Sequence, residues 1–184
     1  MHDSAYRNAQ LFFGTYGRRL ESAKVVEIGS QDVNGTIRTT APPWFDYVGV
    51  DYQAGKGVDL VLEDQYKFPF EDESVDIVLS SSCLEHSAMF WLTWLEMVRI
   101  VKPHGLIYLN VPSAGDYHGY PVDCWRFQSD ADGGLIQWAV RNGYKPCLIE
   151  SYIDQEGPWC DWVGIFCKTW EGANGYPERI GQAK

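Results

Sequence analysis

The sequence predicts an α/β fold: a doubly wound, seven-stranded, mostly parallel sheet closed by a C-terminal antiparallel hairpin. Three observations predict it. Short apolar, β-branched runs recur five times and alternate with helical or loop connections, the pattern of a parallel sheet covered on both faces. The first two runs each end in an acid, Glu27 and Asp51, just where the chain turns. The last two runs, 145–153 and 162–168, are separated only by a turn at Glu156-Gly157-Pro158, so they pair as a hairpin. A chain of 184 residues suits one domain with a single core.

In order, residues 1–22 read as a helical lead-in, with Ala9, Leu11, Phe12 and Phe13 apolar and Gly14 and Gly17 near its end. Tyr6 and Tyr16 read as packing residues of that helix, the alternative being a cover over a ligand. The core, 23–112, holds five strands: 24–28, 46–51, 58–62, 77–80 and 106–111. A short helix is expected over 36–40, stopped by Pro42-Pro43. A longer one is expected over 88–101, with Phe90, Trp91, Trp94, Leu95, Met97 and Val98 on a broad apolar face and Pro103-His104-Gly105 as its stop. Residues 113–129 form a long loop, and such loops are often functional. Residues 130–170 supply a helix, closed by Asn142-Gly143, and the hairpin. The glycine-rich tail from Glu171 is expected to be loose.

The strand ends locate the chemistry. Val25-Val26-Glu27-Ile28-Gly29 is a buried strand opening into a glycine turn, where backbone approaches a ligand closely. In doubly wound sheets an acid at the end of the second strand, here Asp51, bonds ribose hydroxyls. A nucleoside-containing cofactor follows. Dinucleotides need further glycines so that a pyrophosphate rests on the backbone, but Gln31 and Asp32 stand at those positions. An acid there suits a cofactor with a positive centre and no phosphate, and S-adenosylmethionine (SAM) is one.

Bulk composition excludes several classes. The net charge of −10 argues against nucleic acid, which needs clustered Lys and Arg. No apolar run approaches the roughly 20 residues that span a bilayer, and 1–7 lack the apolar core of a signal peptide, so no membrane partner and a cytoplasmic location are expected. Cys83, Cys124, Cys147, Cys160 and Cys167 contain no Cys-x-x-Cys pair and no ligand spacing with the four histidines, so free thiols and no metal are expected.

The ordered motifs resemble those of class I SAM-dependent methyltransferases of the small, stand-alone, type-11-like kind. Glu27-Ile28-Gly29-Ser30 is similar to the family's cofactor loop, and Val48-Gly49-Val50-Asp51 to its ribose-binding strand end. Phe68-Pro69-Phe70-Glu71-Asp72-Glu73-Ser74-Val75-Asp76-Ile77-Val78 resembles the "LPF-d-sfDvV" segment. Leu84-Glu85-His86, Glu96, Arg99 and Val101-Lys102-Pro103-His104-Gly105 resemble "lEH … E-x-x-R-x-L-k-P-G-G". The likeness covers about 23–112 and extends more weakly to 168. It implies a Rossmann-like methyltransferase fold with SAM as cofactor. Glu27, Gly29 and Ser30 would form the cofactor loop, with Gly29 backing the methionine moiety. Asp51, with Tyr52 next to it, would hold the ribose. Asp64 and Gln65 would reach the adenine edge, and Ser81 and Ser82 would lie beside the methionine or sulfonium. Glu85-His86 would sit at the substrate mouth. The chain departs from the family's Gly-x-Gly-x-Gly loop with Gly29-Ser30-Gln31-Asp32-Val33, although some members carry a comparable Gly-Ser-x-Asp-Val-Asn-Gly form. His104 replaces a turn glycine and reads as structural.

Methyl transfer to oxygen is an in-line displacement in which the protein aligns and desolvates the partners. A general base helps when the acceptor is a hydroxyl. His86 and His118 are the base candidates, since imidazole titrates near pH 6.5. The alternatives are a helix-start residue for His86 and a solvated loop residue for His118. In the loop, Tyr117, Tyr120 and Trp125 are candidate substrate walls. Arg126 is a substrate candidate too, but pairing with Asp123 to brace the loop is the simpler role. The Tyr-Pro-Val-Asp-Cys-Trp-Arg-Phe segment loosely resembles one found in methyltransferases of glycan and natural-product synthesis. It tilts the expected acceptor toward a small molecule, such as a sugar hydroxyl. A non-catalytic SAM-binding module and a nicotinamide-dependent oxidoreductase are the alternatives, and an aromatic content of 15% is compatible with a homodimer surface.

Overall fold

A computed structural model describes residues 3–182. It contains one seven-stranded sheet in the order β3-β2-β1-β4-β5-β7-β6. The strands are β1 (Lys24–Ile28), β2 (Asp46–Asp51), β3 (Leu60–Val61), β4 (Val75–Ser81), β5 (Val101–Pro112), β6 (Cys147–Ile153) and β7 (Asp161–Cys167). The first five run parallel, and β7 pairs antiparallel with both β5 and β6. The fold is therefore the mostly parallel α/β sheet with an antiparallel C-terminal hairpin, and the second hairpin strand inserts inside the sheet.

Alternation along the strands sorts the core onto two faces. Val26, Ile28, Val78, Ile107, Leu109, Trp162 and Phe166 pack with α2 (Phe90–Ile100) and α3 (Ala131–Arg141) through Trp94, Met97, Val98, Leu135 and Ala139. Val25, Ile77, Leu79, Leu106, Tyr108, Val163 and Ile165 pack with α1 (Asp3–Thr15) through Ala9, Phe12 and Phe13. Helix α1 is also held by polar bonds: buried Asn8 donates to Asn110 Oδ1 at 3.1 Å, and Ser4 Oγ donates to Asp161 Oδ2 at 2.7 Å. Tyr16 is buried against Phe12 and Tyr176 and donates to Glu150. It belongs to this packed layer.

Four local expectations are corrected. The turn over 36–40 is only a 3₁₀ turn, Arg38–Thr40, too short to cover the sheet. The third strand shrinks to two residues on the sheet edge. Helix α2 ends at Ile100, before Pro103-His104-Gly105, because Val101 already pairs with Val75 and the chain re-enters the sheet through an irregularity between Val75 and Ile77. The tail is ordered rather than loose. Thr169 caps α4 (Trp170–Ala173) by accepting from Gly172 N at 3.1 Å. Tyr176 donates to the His104 carbonyl at 3.1 Å, and Ile180 is fully buried under α1 and the sheet. The glycine count concealed these two apolar anchors. Among the described residues no helix is long and apolar enough to cross a membrane.

Candidate functional site

The carboxyl ends of β1, β2 and β4 open onto one cleft of two joined lobes. Gly29, Asp51, Tyr52, Cys83, His86 and Tyr120 line both lobes. One lobe, about 300 Å³, is completed by Leu62, Gln65, Tyr66 and Ala88. The other, about 380 Å³, is completed by Glu27, Ser30, Gln31, Ser81, Ser82 and His118. No Lys or Arg lines either lobe among the described residues.

Each wall has a local cause. Gly29 has φ of +77°, and a Cβ there would fall 2.4 Å from Cys83 Sγ, so only glycine fits the turn. Ser82 adopts φ of +50° at the end of β4, a conformation that costs energy outside glycine and concentrates at working sites. Asp51 is buried, and its two oxygens accept from Gln31 N at 3.2 Å and Gln53 N at 3.1 Å. One bond on each oxygen leaves lone pairs for further donors. The hydroxyls of Ser30 and Ser81 are buried with no hydrogen-bond partner among the described residues.

Burial sets the ionisation of the interior groups. It pushes the Glu27 carboxyl up to about 7, against the Tyr47 hydroxyl that donates to it at 2.9 Å. It pushes the Cys83 thiol up to about 12, so that thiol is not a nucleophile at neutral pH. It pushes Glu85 up to about 8, helped by the negative charges of Asp161 and Asp123. It lowers His86, against the opposing bond to the Val122 carbonyl.

The loop over 113–129 is tied down across the mouth of the cleft. Cys124 N and Trp125 N both donate to the Glu85 carbonyl, and His86 Nδ1 meets the Val122 carbonyl at 2.5 Å. Arg126 forks onto Asp123 at 2.5 and 2.7 Å and reaches the Asp116 carbonyl at 3.0 Å. The guanidinium holds the Asp123 carboxyl well below the usual range. Asp123 in turn accepts from His118 N at 2.8 Å and lies 3.1 Å from His118 Nδ1. The rings of His86 and His118 come together, with centroids 5.0 Å apart, and His118 rests on Trp159 at 4.2 Å.

The structure gathers Glu27, Gly29, Ser30, Asp51, Tyr52, Gln65, Ser81, Ser82, His86, His118 and Tyr120 around the cleft. Asp64 is not among the lining residues: it is exposed, and its carboxylate accepts from Tyr66 N at 2.8 Å. Tyr117 stands 75% exposed outside both lobes. Trp125 donates to the Ser87 carbonyl at 2.9 Å and, with Arg126, lines a separate apolar hollow beside Phe90, Trp91 and Trp138. Sequence reasoning missed Cys83, Leu62, Tyr66 and Val122 as lining residues. Cys83 carried a signal, because it follows the end of β4.

The family model described as a methyltransferase domain matches residues 39–109. An uncharacterized methyltransferase from Mycolicibacterium vanbaalenii is 48% identical over 79 residues, covering 42% of this chain and 31% of the relative. One from Mycobacterium marinum is 32% identical over 92 residues, covering 50% of this chain and 36% of the relative. Among solved structures, the Burkholderia thailandensis 1,6-didemethyltoxoflavin-N1-methyltransferase with bound S-adenosylhomocysteine aligns at a TM-score of 0.66. It shares 13% identity, over 91% of this chain and 79% of that one. The domain match over 39–109 and the sheet topology make this chain similar to class I SAM-dependent methyltransferases. The chain spans about a third of the length of these two mycobacterial relatives.

Proposed function

We propose that this chain transfers a methyl group from SAM to a small-molecule acceptor, with a hydroxyl, such as that of a sugar or natural product, as the receiving group. The observation that carries the reading is the two-lobed cleft at the strand ends, with buried Asp51 between the lobes and no cation in its lining. The residues fit the cofactor. Gly29 gives a surface that a Cβ would fill, and the orphaned Ser30 and Ser81 hydroxyls await partners in a buried wall. Asp51 would accept from ribose hydroxyls, and Leu62, Gln65 and Tyr66 would enclose the adenine. Glu27, Ser30 and Ser81 would face the methionine end. A pyrophosphate would meet Glu27 and Asp51 with no compensating Lys or Arg, which disfavours the nicotinamide alternative.

When bound, SAM supplies an electrophilic methyl on a strong leaving group. The chain's task is then to place the acceptor oxygen in line and exclude water. Tyr120 and the tied loop would close the acceptor side. His86, its Nδ1 bonded to backbone, turns Nε2 away from that bond. His118 lies beside it, and the pair is positioned to take a proton from the acceptor. The small-molecule acceptor named for the Burkholderia neighbour is in keeping with a cleft of this size.

Calorimetric titration with S-adenosylhomocysteine, with NAD as control, tests the reading. Binding of the first alone is expected. Binding of NAD alone would overturn it, and binding of neither would remove the cofactor on which it depends.

A further inference from the structure

Glu85 is unlike every other acid in the cleft. It is 1% exposed, and neither carboxylate oxygen has a hydrogen-bond partner among the described residues. A carboxylate buried without a partner is strongly disfavoured, and a bound cation is one way to satisfy it. Among the described residues no Lys or Arg forms a salt bridge with it, and the nearby Arg126 acts on it only through its charge while its fork is spent on Asp123. What does face it is imidazole: His86 Nε2 lies 3.6 Å from Glu85 Oε1. One donor atom each from Glu85, His86 and His118 falls within 4.8 Å of the others.

The two rings are also held as metal-binding imidazoles are. Such a ligand usually donates its second N–H to a carbonyl or carboxylate, which fixes its tautomer. His86 Nδ1 is committed to the Val122 carbonyl, and His118 Nδ1 faces Asp123 Oδ2 at 3.1 Å and the Asp116 carbonyl at 3.2 Å. Both Nε2 atoms are left without a hydrogen bond among the described residues. Asp123 is itself fixed by the Arg126 fork. Two ligands at about 2.1 Å from one tetrahedral ion are roughly 3.4 Å apart, close to the observed 3.6 Å between His86 and Glu85.

We propose that Glu85, His86 and His118 bind one divalent transition-metal ion through a carboxylate and two Nε2 atoms. Two imidazoles and a carboxylate select zinc, iron or cobalt over magnesium or calcium, and three protein ligands leave a position open. Because His86 and His118 line the cleft while Glu85 lies beneath, that position faces the acceptor side. With the ion bound, the two Nε2 atoms are ligands and no longer take the proton themselves; an acceptor hydroxyl on the open position loses its proton to solvent more readily, as water does on such ions. This last role rests on the methyltransferase reading, whereas the binding of the ion does not.

Metal-free protein titrated with Co²⁺, followed by visible absorption, tests the site, with Zn²⁺ competition as a second readout. One Co²⁺ per chain is expected, giving the visible bands of a four- or five-coordinate ion that Zn²⁺ abolishes. Glu85→Gln and His118→Ala should each weaken Co²⁺ binding at least tenfold, and Asp123→Asn about tenfold through the ring it orients. Thermal melting and circular dichroism identify any variant that fails to fold, and His118 lies on the loop, away from both core faces. No uptake by the wild type, or uptake unchanged in folded Glu85→Gln and His118→Ala, would overturn the proposal. Titration of the same samples with S-adenosylhomocysteine separates the two readings. Cofactor binding without Co²⁺ uptake removes the metal site alone, and Co²⁺ uptake without cofactor binding removes the methyltransferase reading alone.

Discussion

Single side chains carry the sharpest expectations. Replacing Asp51 by Ala removes both acceptors from the floor shared by the two lobes. S-adenosylhomocysteine affinity should fall by about 1–3 kcal/mol, the worth of charge-assisted bonds, as read by calorimetry, and unchanged affinity would move the ribose elsewhere. Gly29→Ala meets two penalties at once: φ of +77° and a Cβ 2.4 Å from Cys83 Sγ. Stability in urea should drop by about 2 kcal/mol or more. Adding Cys83→Ala removes Sγ but leaves the Cβ at position 83 only 2.5 Å from the new methyl, so little of the lost stability should be rescued. Glu27 makes the ligand-free protein pH-sensitive. Its carboxyl is raised from 4.5 to about 7 by burial, so the folded state holds the proton more tightly than the unfolded state. Stability therefore falls as pH rises from about 4.5 to about 7, by about 3 kcal/mol, and stays low above that. Glu27→Gln, which still accepts from Tyr47 but does not ionise, should match the wild type near pH 4.5 and exceed it at pH 8 by about 1–3 kcal/mol in urea titrations.

At the level of elements, the tail and the loop make different contributions. Ile180 is fully buried although it lies beyond the last strand, so Ile180→Ala should cost about 2–5 kcal/mol in chemical denaturation. A tail that merely follows the fold would show almost no change. Among the described residues Arg126 hydrogen-bonds only within the loop, tying Asp123 to the loop's own carbonyls, so Arg126→Ala should speed proteolytic cleavage within 113–129 while changing the melting temperature little. The contrast explains what sequence could show. Strands such as 24–28 were legible because each is a local, periodic run of apolar residues. The Asp123–Arg126 brace was legible from its spacing of three. The tail was not, because Tyr176 and Ile180 are isolated among polar residues and their burial depends on α1 and on the His104 carbonyl. The cluster of Glu85, His86 and His118 was equally hidden. Bonds from the loop amides Cys124 N and Trp125 N to the Glu85 carbonyl, and between His86 Nδ1 and the loop's Val122 carbonyl, bring His118 to residues more than thirty positions away, and a spacing argument has no access to that.

For the whole molecule, the cleft is a break in cohesion that a ligand should repair. The sheet's two faces are covered by packed helices and by the tail, yet the carboxyl ends of β1, β2 and β4 border two joined cavities of about 300 and 380 Å³. Orphaned serine hydroxyls lie in the wall, and Glu27 is held near protonation by burial. A ligand that satisfies these groups binds only the folded chain, so its free energy adds directly to stability. At about one hundred times its dissociation constant, S-adenosylhomocysteine should add about 2.7 kcal/mol. For a domain of this size that corresponds to a rise in melting temperature of about 5–11 °C. NAD at equal concentration should leave the transition in place, because its pyrophosphate meets two carboxylates and no cation. Asp51→Ala should melt near the wild-type temperature without ligand, since among the described residues its side chain bonds only two loop amides, but should lose most of the ligand-induced rise. An equal rise in both proteins would mean that the ligand stabilises the fold from a place other than this cleft.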